Sequence, residues 1–142
     1  MTVVARSALV PRPARHMFDI VNDVEAYPRR FGWCRAASIV DREADNLTAR
    51  LRVRYGGMET EFTTYNRVVP ATSIGLELVD GPFTRLRGGW DFAPLGEAGC
   101  RVGLTLDFEL AGRFLGSALA VGFAALADRM VDDFVRVALE AG

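Results

Sequence analysis

Leu47-Thr48-Ala49-Arg50-Leu51-Arg52-Val53-Arg54-Tyr55-Gly56-Gly57-Met58-Glu59-Thr60-Glu61-Phe62-Thr63-Thr64 is the stretch from which the architecture can be read. Leu47, Ala49, Leu51, Val53 and Tyr55 alternate with Thr48, Arg50, Arg52 and Arg54. A period of two puts an apolar row on one face of a strand and a basic row on the other. Gly56-Gly57 is a two-residue hairpin signal. A hairpin closed there sets Tyr55 opposite Met58, Arg54 opposite Glu59 and Arg52 opposite Glu61, so opposite charges meet on the outer face. The same register places Val53 opposite Thr60, Leu51 opposite Phe62 and Ala49 opposite Thr64 on the inner face. The glutamates across from Arg52 and Arg54 argue for a solvated sheet face rather than a basic stripe offered to RNA.

The pattern extends in both directions. Further strands at hairpin spacing carry Ile74, Leu76 and Leu78 inward, then Leu86, Trp90 and Phe92, then Val102, Leu104, Leu106 and Phe108. Asp80-Gly81-Pro82 and the segment 94–99 are the turns between them. Gly88-Gly89 inside a strand predicts a bulge or bend, which curves a sheet. Residues 2–10 form a β-like run closed by Pro11 and Pro13, after which Met17, Phe18, Ile20 and Val21 mark the apolar side of a short helix. A second helical turn or loop follows through Tyr27 and Pro28. Residues 113–140 read as one helix about 42 Å long. Its first half is rich in small residues (Gly116, Ala118, Ala120, Gly122, Ala124), and its second half sets Met130, Val131, Phe134 and Val135 against Asp132, Asp133 and Arg136. One α+β domain over residues 1–142 is expected, a sheet wrapped on a helix, with an internal apolar cavity where small helix residues leave space.

Composition narrows the chemistry. The chain has 142 residues, half of them hydrophobic, and a formal net charge of −1. Seventeen cations, all of them Arg, balance 18 acidic residues, so a large positive field for nucleic acid or anionic membrane is not indicated, and no DNA partner is expected. Without Lys there is no Schiff-base or P-loop chemistry, and one His with two Cys excludes most metal sites. Cys34 and Cys100 lie 66 positions apart, which suggests neither a disulfide scaffold nor a redox motif. His16 and Cys34 lack an orienting carboxylate, and Asp107 and Glu109 point outward on strand parity, so no catalytic residue is assigned. The longest uncharged apolar stretch, between Arg113 and Asp128, holds 14 residues, short of the roughly 20 needed to span a bilayer. No secretion signal is read at the N-terminus, and a cytoplasmic protein, peripheral at the inner membrane when it touches lipid, is expected.

Several strings taken together resemble a known family. They are Tyr27-Pro28 with Trp33-Cys34, Phe62-Thr63-Thr64-Tyr65-Asn66, Asp80-Gly81-Pro82-Phe83 with Leu86 and Gly88-Gly89-Trp90-Asp91-Phe92, Cys100-Arg101-Val102, Leu106-Asp107-Phe108, and Met130-Val131 with Phe134. In this order they look like the coenzyme Q-binding protein and ribosome association toxin RatA family, within the START-like or helix-grip superfamily of polyketide cyclase-like domains. That resemblance implies a curved seven-stranded antiparallel sheet around the C-terminal helix, enclosing a cavity for ubiquinone or another polyisoprenoid lipid, with no cofactor required. It also implies two alternatives, ranked after quinone binding: association with the large ribosomal subunit, then aromatic polyketide cyclisation or dehydration.

The expected ligand lining is Phe62, Leu76, Trp90, Phe92, Leu104, Leu106, Phe108, Leu119 and Phe123, with Thr64 and Asn66 as a short polar strip able to meet a quinone carbonyl. Tyr27, Pro28, Phe31, Trp33 and Phe83 are expected at the pocket mouth or on a partner surface. Arg29, Arg30 and Arg35 around Phe31 and Trp33 suit a headgroup layer or a protein interface.

Overall fold

The hairpin forms in the register its charges dictate. The computed structural model describes residues 2–140, and in it strand β3 (Asn46–Tyr55) pairs with β4 (Met58–Val69) with Tyr55 opposite Met58, Arg52 opposite Glu61, Leu51 opposite Phe62 and Ala49 opposite Thr64. Arg52 draws both glutamates, reaching Glu59 at 3.5 Å and Glu61 at 3.7 Å, and so leaves Arg54 without the partner expected for it.

Around this hairpin lie β1 (Thr2–Val10), β2 (Cys34–Glu43), β5 (Ser73–Asp80), β6 (Phe83–Leu95) and β7 (Gly99–Leu110). They form one antiparallel seven-stranded sheet in the order β1-β7-β6-β5-β4-β3-β2. The two edges, β1 and β2, are consecutive in the chain. Their connection, α1 (Ala14–Asn22), a 3-10 turn (Val24–Ala26) and α2 (Tyr27–Arg30), therefore crosses the concave side of the sheet.

Gly88-Gly89 forms no bulge in β6, since Gly88 pairs with Leu76 and Leu106 and Gly89 with Gly75 and Thr105 without a slip in register. A Cβ at Gly88, whose φ is +151°, would lie 2.0 Å from the Thr105 carbonyl oxygen, and one at Gly89 would lie 2.6 Å from that of Ile74. Only glycine permits backbones this close on both sides of one strand.

The C-terminal helix α3 (Ala118–Glu140) is shorter than expected, 23 residues instead of 28. Gly112–Phe114 form a separate 3-10 turn, Leu115 is extended, and Gly116 sits at φ +72°, which ends the turn before α3 begins. Ser117 accepts from the Ala120 backbone N–H across the first turn of α3. The small residues of α3 also act differently from the expectation. A Cβ on Gly122 would come within 2.5 Å of the Met58 side chain, so this glycine lets the helix press onto the β3–β4 turn. Close approach, rather than empty space, is what it provides.

Candidate functional site

The concave face of the sheet, α3 and the α1–α2 crossing enclose a cavity of about 70 Å³. Strand alternation delivers its floor: Ala49 and Leu51 from β3, Phe62, Thr64 and Asn66 from β4, Ile74 and Leu76 from β5, Leu86 and Trp90 from β6, Leu104 and Leu106 from β7. The helix contributes Phe123, Met130 and Phe134, at spacings of seven and four that keep them on one face. Val21, Val24, Tyr27 and Trp33 close the side left by the crossing segment. Most of these side chains are fully buried, whereas Leu51 and Leu76 are partly exposed and mark where the cavity nears solvent.

The lining has a single polar pair. Thr64 Oγ1 donates to Asn66 Oδ1 at 2.7 Å, and both residues are 7% exposed. With its oxygen so engaged, the Asn66 amide has its N–H groups left for whatever occupies the cavity. The Tyr27 hydroxyl is turned away, donating to the Val21 carbonyl, and burial first of all raises its pKa far above the usual phenol range. Trp33 donates Nε1–H to Asp133 Oδ2 at 3.0 Å, and Arg129 grips the same carboxylate at 3.2 and 3.3 Å while donating to the Tyr55 hydroxyl at 3.1 Å. Trp33 is thereby fixed between the cavity and a separate surface cleft.

Of the expected lining residues, the structure brings Phe62, Thr64, Asn66, Leu76, Trp90, Leu104, Leu106 and Phe123 to the cavity. Three fall elsewhere. Phe92 packs edge-on against Phe18 of α1, 5.7 Å between ring centres, because β6 has by then run under that helix. Phe108 joins Phe83 and Phe123 in an aromatic cluster beyond the cavity's end. Leu119 lies in the first turn of α3, past the cavity, and is partly exposed. Val21, Val24, Ala49, Leu51, Ile74, Leu86, Met130 and Phe134 are lining residues that sequence reasoning left out of the site; strand parity already turned Ala49, Leu51, Ile74 and Leu86 inward, and the i, i+4 pair Met130 and Phe134 carried the signal for two more.

The expected mouth needs correction. Tyr27 and Trp33 are wall, not rim. Phe31 is 2% exposed, stacked on Trp33 at 4.9 Å and against Phe134 at 4.6 Å. Phe83 is buried between Phe62 and Phe123. Burying these four rings, three of them around Phe134 and Phe83 in the second cluster, is worth more than displaying them, and of the five residues only Pro28 stays exposed. Asp133, assigned by pattern to the solvated side of the helix, is 6% exposed; its partner Trp33 is 100 residues away, a pairing no local pattern announces. His16 and Cys34 do not meet: His16 Nε2 lies 3.0 Å from the Ala138 carbonyl, and the Cys34 thiol faces its own strand at Ala36. Burial pushes that thiol up to about 11. Asp107 and Glu109 point outward and are paired with Arg85, at 3.2 and 3.9 Å.

Residues 10–135 match the family model described as polyketide cyclase/dehydrase and lipid transport. The chain is 43% identical over 133 residues to the ribosome association toxin RatA of Pseudomonas aeruginosa, covering 94% of this chain and 92% of that protein. Among solved structures it superposes on the ZhuI aromatase/cyclase of Streptomyces sp. R1128 with a TM-score of 0.81 at 19% identity, covering 96% of this chain and 93% of that one. A START superfamily protein from Mycobacterium smegmatis superposes with a TM-score of 0.75 at 24% identity, covering 98% and 94% of the two chains. The two structural likenesses establish the fold, a START-like helix grip.

Proposed function

The chain belongs to the polyketide cyclase/dehydrase and lipid transport family, and from that premise we propose that it is a non-enzymatic binding protein for a lipophilic ligand, ubiquinone or another polyisoprenoid lipid, in support of respiratory electron transport. The observation that carries this reading is the chemistry of the cavity wall. Among the described residues it contains no Asp, Glu, His, Cys or Arg, and its one ionisable group, Tyr27, is held protonated. Cyclisation or dehydration of a polyketide needs a proton carrier at the reacting carbons, and this wall offers a hydroxyl, an amide and aromatic rings. Burial of apolar surface, about 25 cal/mol per Å², needs none of those groups. The Asn66 N–H groups are suited to a quinone carbonyl, the polar atom such a ligand would bring inside.

Size sets a condition on loading. At about 70 Å³ the cavity is roughly half the volume of the 150 Å³ engineered cavity known to admit benzene. A quinone ring therefore enters only as side chains give way, and flexible Met130 with the partly exposed Leu51 and Leu76 are the residues positioned to do so. A long tail runs out past them toward solvent or a membrane surface. No helix of the described residues is long and apolar enough to cross a membrane, so exchange with a bilayer would be a transient contact. Solvent extraction of the protein purified from its own host, followed by mass spectrometry, should yield a quinone or related isoprenoid. Recovery of no lipid, together with no binding of a short-chain ubiquinone by the folded protein, would refute the proposal.

Ribosome association is the second reading, and the 43% identity to a protein named for that property is what favours it. It does not compete for the cavity, because a ribosomal partner would engage the surface. Co-sedimentation with isolated large subunits tests it; a protein wholly in the free fraction at low salt would exclude it.

A further inference from the structure

Trp33 has a second side. Beyond it opens a surface cleft of about 460 Å³ lined by Arg35, Arg54, Arg129 and Arg136, four arginines against the single acidic residue Asp133. That carboxylate is already taken by Trp33 Nε1 and Arg129. Arg136 reaches Glu140 at 3.6 Å, but both groups are more than half exposed, and such pairs are worth little in water. Among the described residues Arg35 and Arg54 make no ion pair, and Glu59, which faces Arg54 across the hairpin, turns with Glu61 to Arg52.

The cations are assembled by regular structure. Cys34 pairs with Val53 and Ala36 with Arg52, so Arg35 is the extra residue of a β-bulge, a device that re-aims a side chain. Arg54 donates its backbone N–H to the Trp33 carbonyl at 2.8 Å, tying it to the same corner. Arg129 and Arg136 lie two turns apart on one face of α3. Like charges gathered this way repel one another unless an anion sits among them. Guanidinium forks fit the paired oxygens of a phosphate, and the Phe31–Trp33 aromatic stack lines the adjoining wall.

We propose that this cleft is a binding site for a phosphate-class oxyanion, distinct from the ligand cavity and separated from it by the Trp33 ring. The oxyanion has two sources with the same chemistry, a free phosphate or diphosphate and the headgroup of an amphiphile. The headgroup source rests on the cavity reading above, whereas the anion site does not. A cleft bounded by four arginines takes one or two phosphates, so it suits a compact anion better than a run of nucleic acid backbone.

Calorimetry on the full chain tests this with four probes: inorganic pyrophosphate, lysophosphatidate below its micellar concentration, the monoacylglycerol of the same chain length, and a single-stranded RNA dodecamer. The variants are R35S/R54S, which removes two cleft arginines at exposed positions, and R50S/R67S, which removes the same charge elsewhere on the surface. Pyrophosphate should bind the parent protein and R50S/R67S alike, and R35S/R54S about a hundredfold more weakly, roughly tenfold for each guanidinium lost. Lysophosphatidate binding tighter than both pyrophosphate and monoacylglycerol assigns the lipid source; binding no tighter than pyrophosphate assigns the free anion. Pyrophosphate bound with no monoacylglycerol binding removes the cavity reading and leaves the cleft standing. Pyrophosphate that does not bind, or that binds R35S/R54S as it binds R50S/R67S, overturns the proposal. RNA as the only probe weakened by R35S/R54S overturns it in favour of a nucleic acid surface.

Discussion

Replacing Ala49 with leucine fills the cavity from within. Ala49 is 3% exposed, sits opposite Thr64 on the β3–β4 ladder and lines the cavity, so the three added carbons enter the empty volume. Void space costs about 24 cal/mol per Å³, which over 70 Å³ sets a ceiling of about 1.7 kcal/mol on the gain. Forcing rigid neighbours aside would cost about 1–3 kcal/mol, but Met130 across the cavity is adaptable, so a net stabilisation on the order of 1 kcal/mol is expected. Urea unfolding with and without a short-chain ubiquinone reads both consequences. The parent protein should gain about 2.7 kcal/mol at a ligand concentration a hundred times Kd. Ala49→Leu should unfold at higher urea when empty and gain nothing from ligand. A variant that is less stable when empty yet keeps the full ligand-dependent shift would refute both the void and its role.

Other consequences follow from single contacts. Asp133→Ala removes a buried, charge-assisted partner of Trp33 and should cost about 1.5–3 kcal/mol in urea unfolding. Arg129→Ala, at the exposed end of the same network, should cost less than Asp133→Ala because Trp33 still holds the carboxylate, and equal losses would mean the Trp33 bond contributes little. Gly88→Ala drives a Cβ into the Thr105 carbonyl and should cost about 3 kcal/mol or more; unchanged stability would show that β6 does not approach β7 so closely. The Cys34 thiol, pushed up to about 11 by burial, should label with maleimide at pH 7.5 far more slowly than a free cysteine. The folded state keeps a proton that the unfolded chain releases near pH 9, so this contribution is intact below pH 9 and is lost as pH rises through about 11. Tyr27 acts in the same direction. Unfolding midpoints that rise between pH 8 and 11 would contradict that sign.

What could be read in advance was what strand parity and turn chemistry control. The Gly56-Gly57 hairpin carried its own register, and inward parity delivered most of the cavity floor from β4 to β7. Strand β2 is largely exposed on both faces, so its alternation is weak: the period-two pattern running from about residue 33 set no bounds for it, and the family resemblance supplied the count of seven strands. The failures lie where distant segments meet. Phe31 and Phe83 read as surface aromatics because nothing near them in the chain shows that Phe134 and Phe123 will cover them. Asp133 read as solvated because its helix neighbours are, and Trp33 reclaims it from the far end of the chain. Glycine and alanine on α3 looked like space, yet Gly122 is occupied by Met58, and the cavity is walled by Phe123, Met130 and Phe134 instead.

The central claim is that a lipophilic ligand lies between the sheet and α3 with its polar end at Asn66. Methyl-labelled NMR of the protein with an isotopically distinct short-chain ubiquinone measures this directly, through intermolecular NOEs. The account predicts NOEs from ligand to the methyls of Ile74, Leu104, Leu106 and Met130 and a shifted Asn66 side-chain amide, with none at the exposed Leu9 or Val121. NOEs confined to exposed methyls, with the Asn66 amide unmoved, would contradict it.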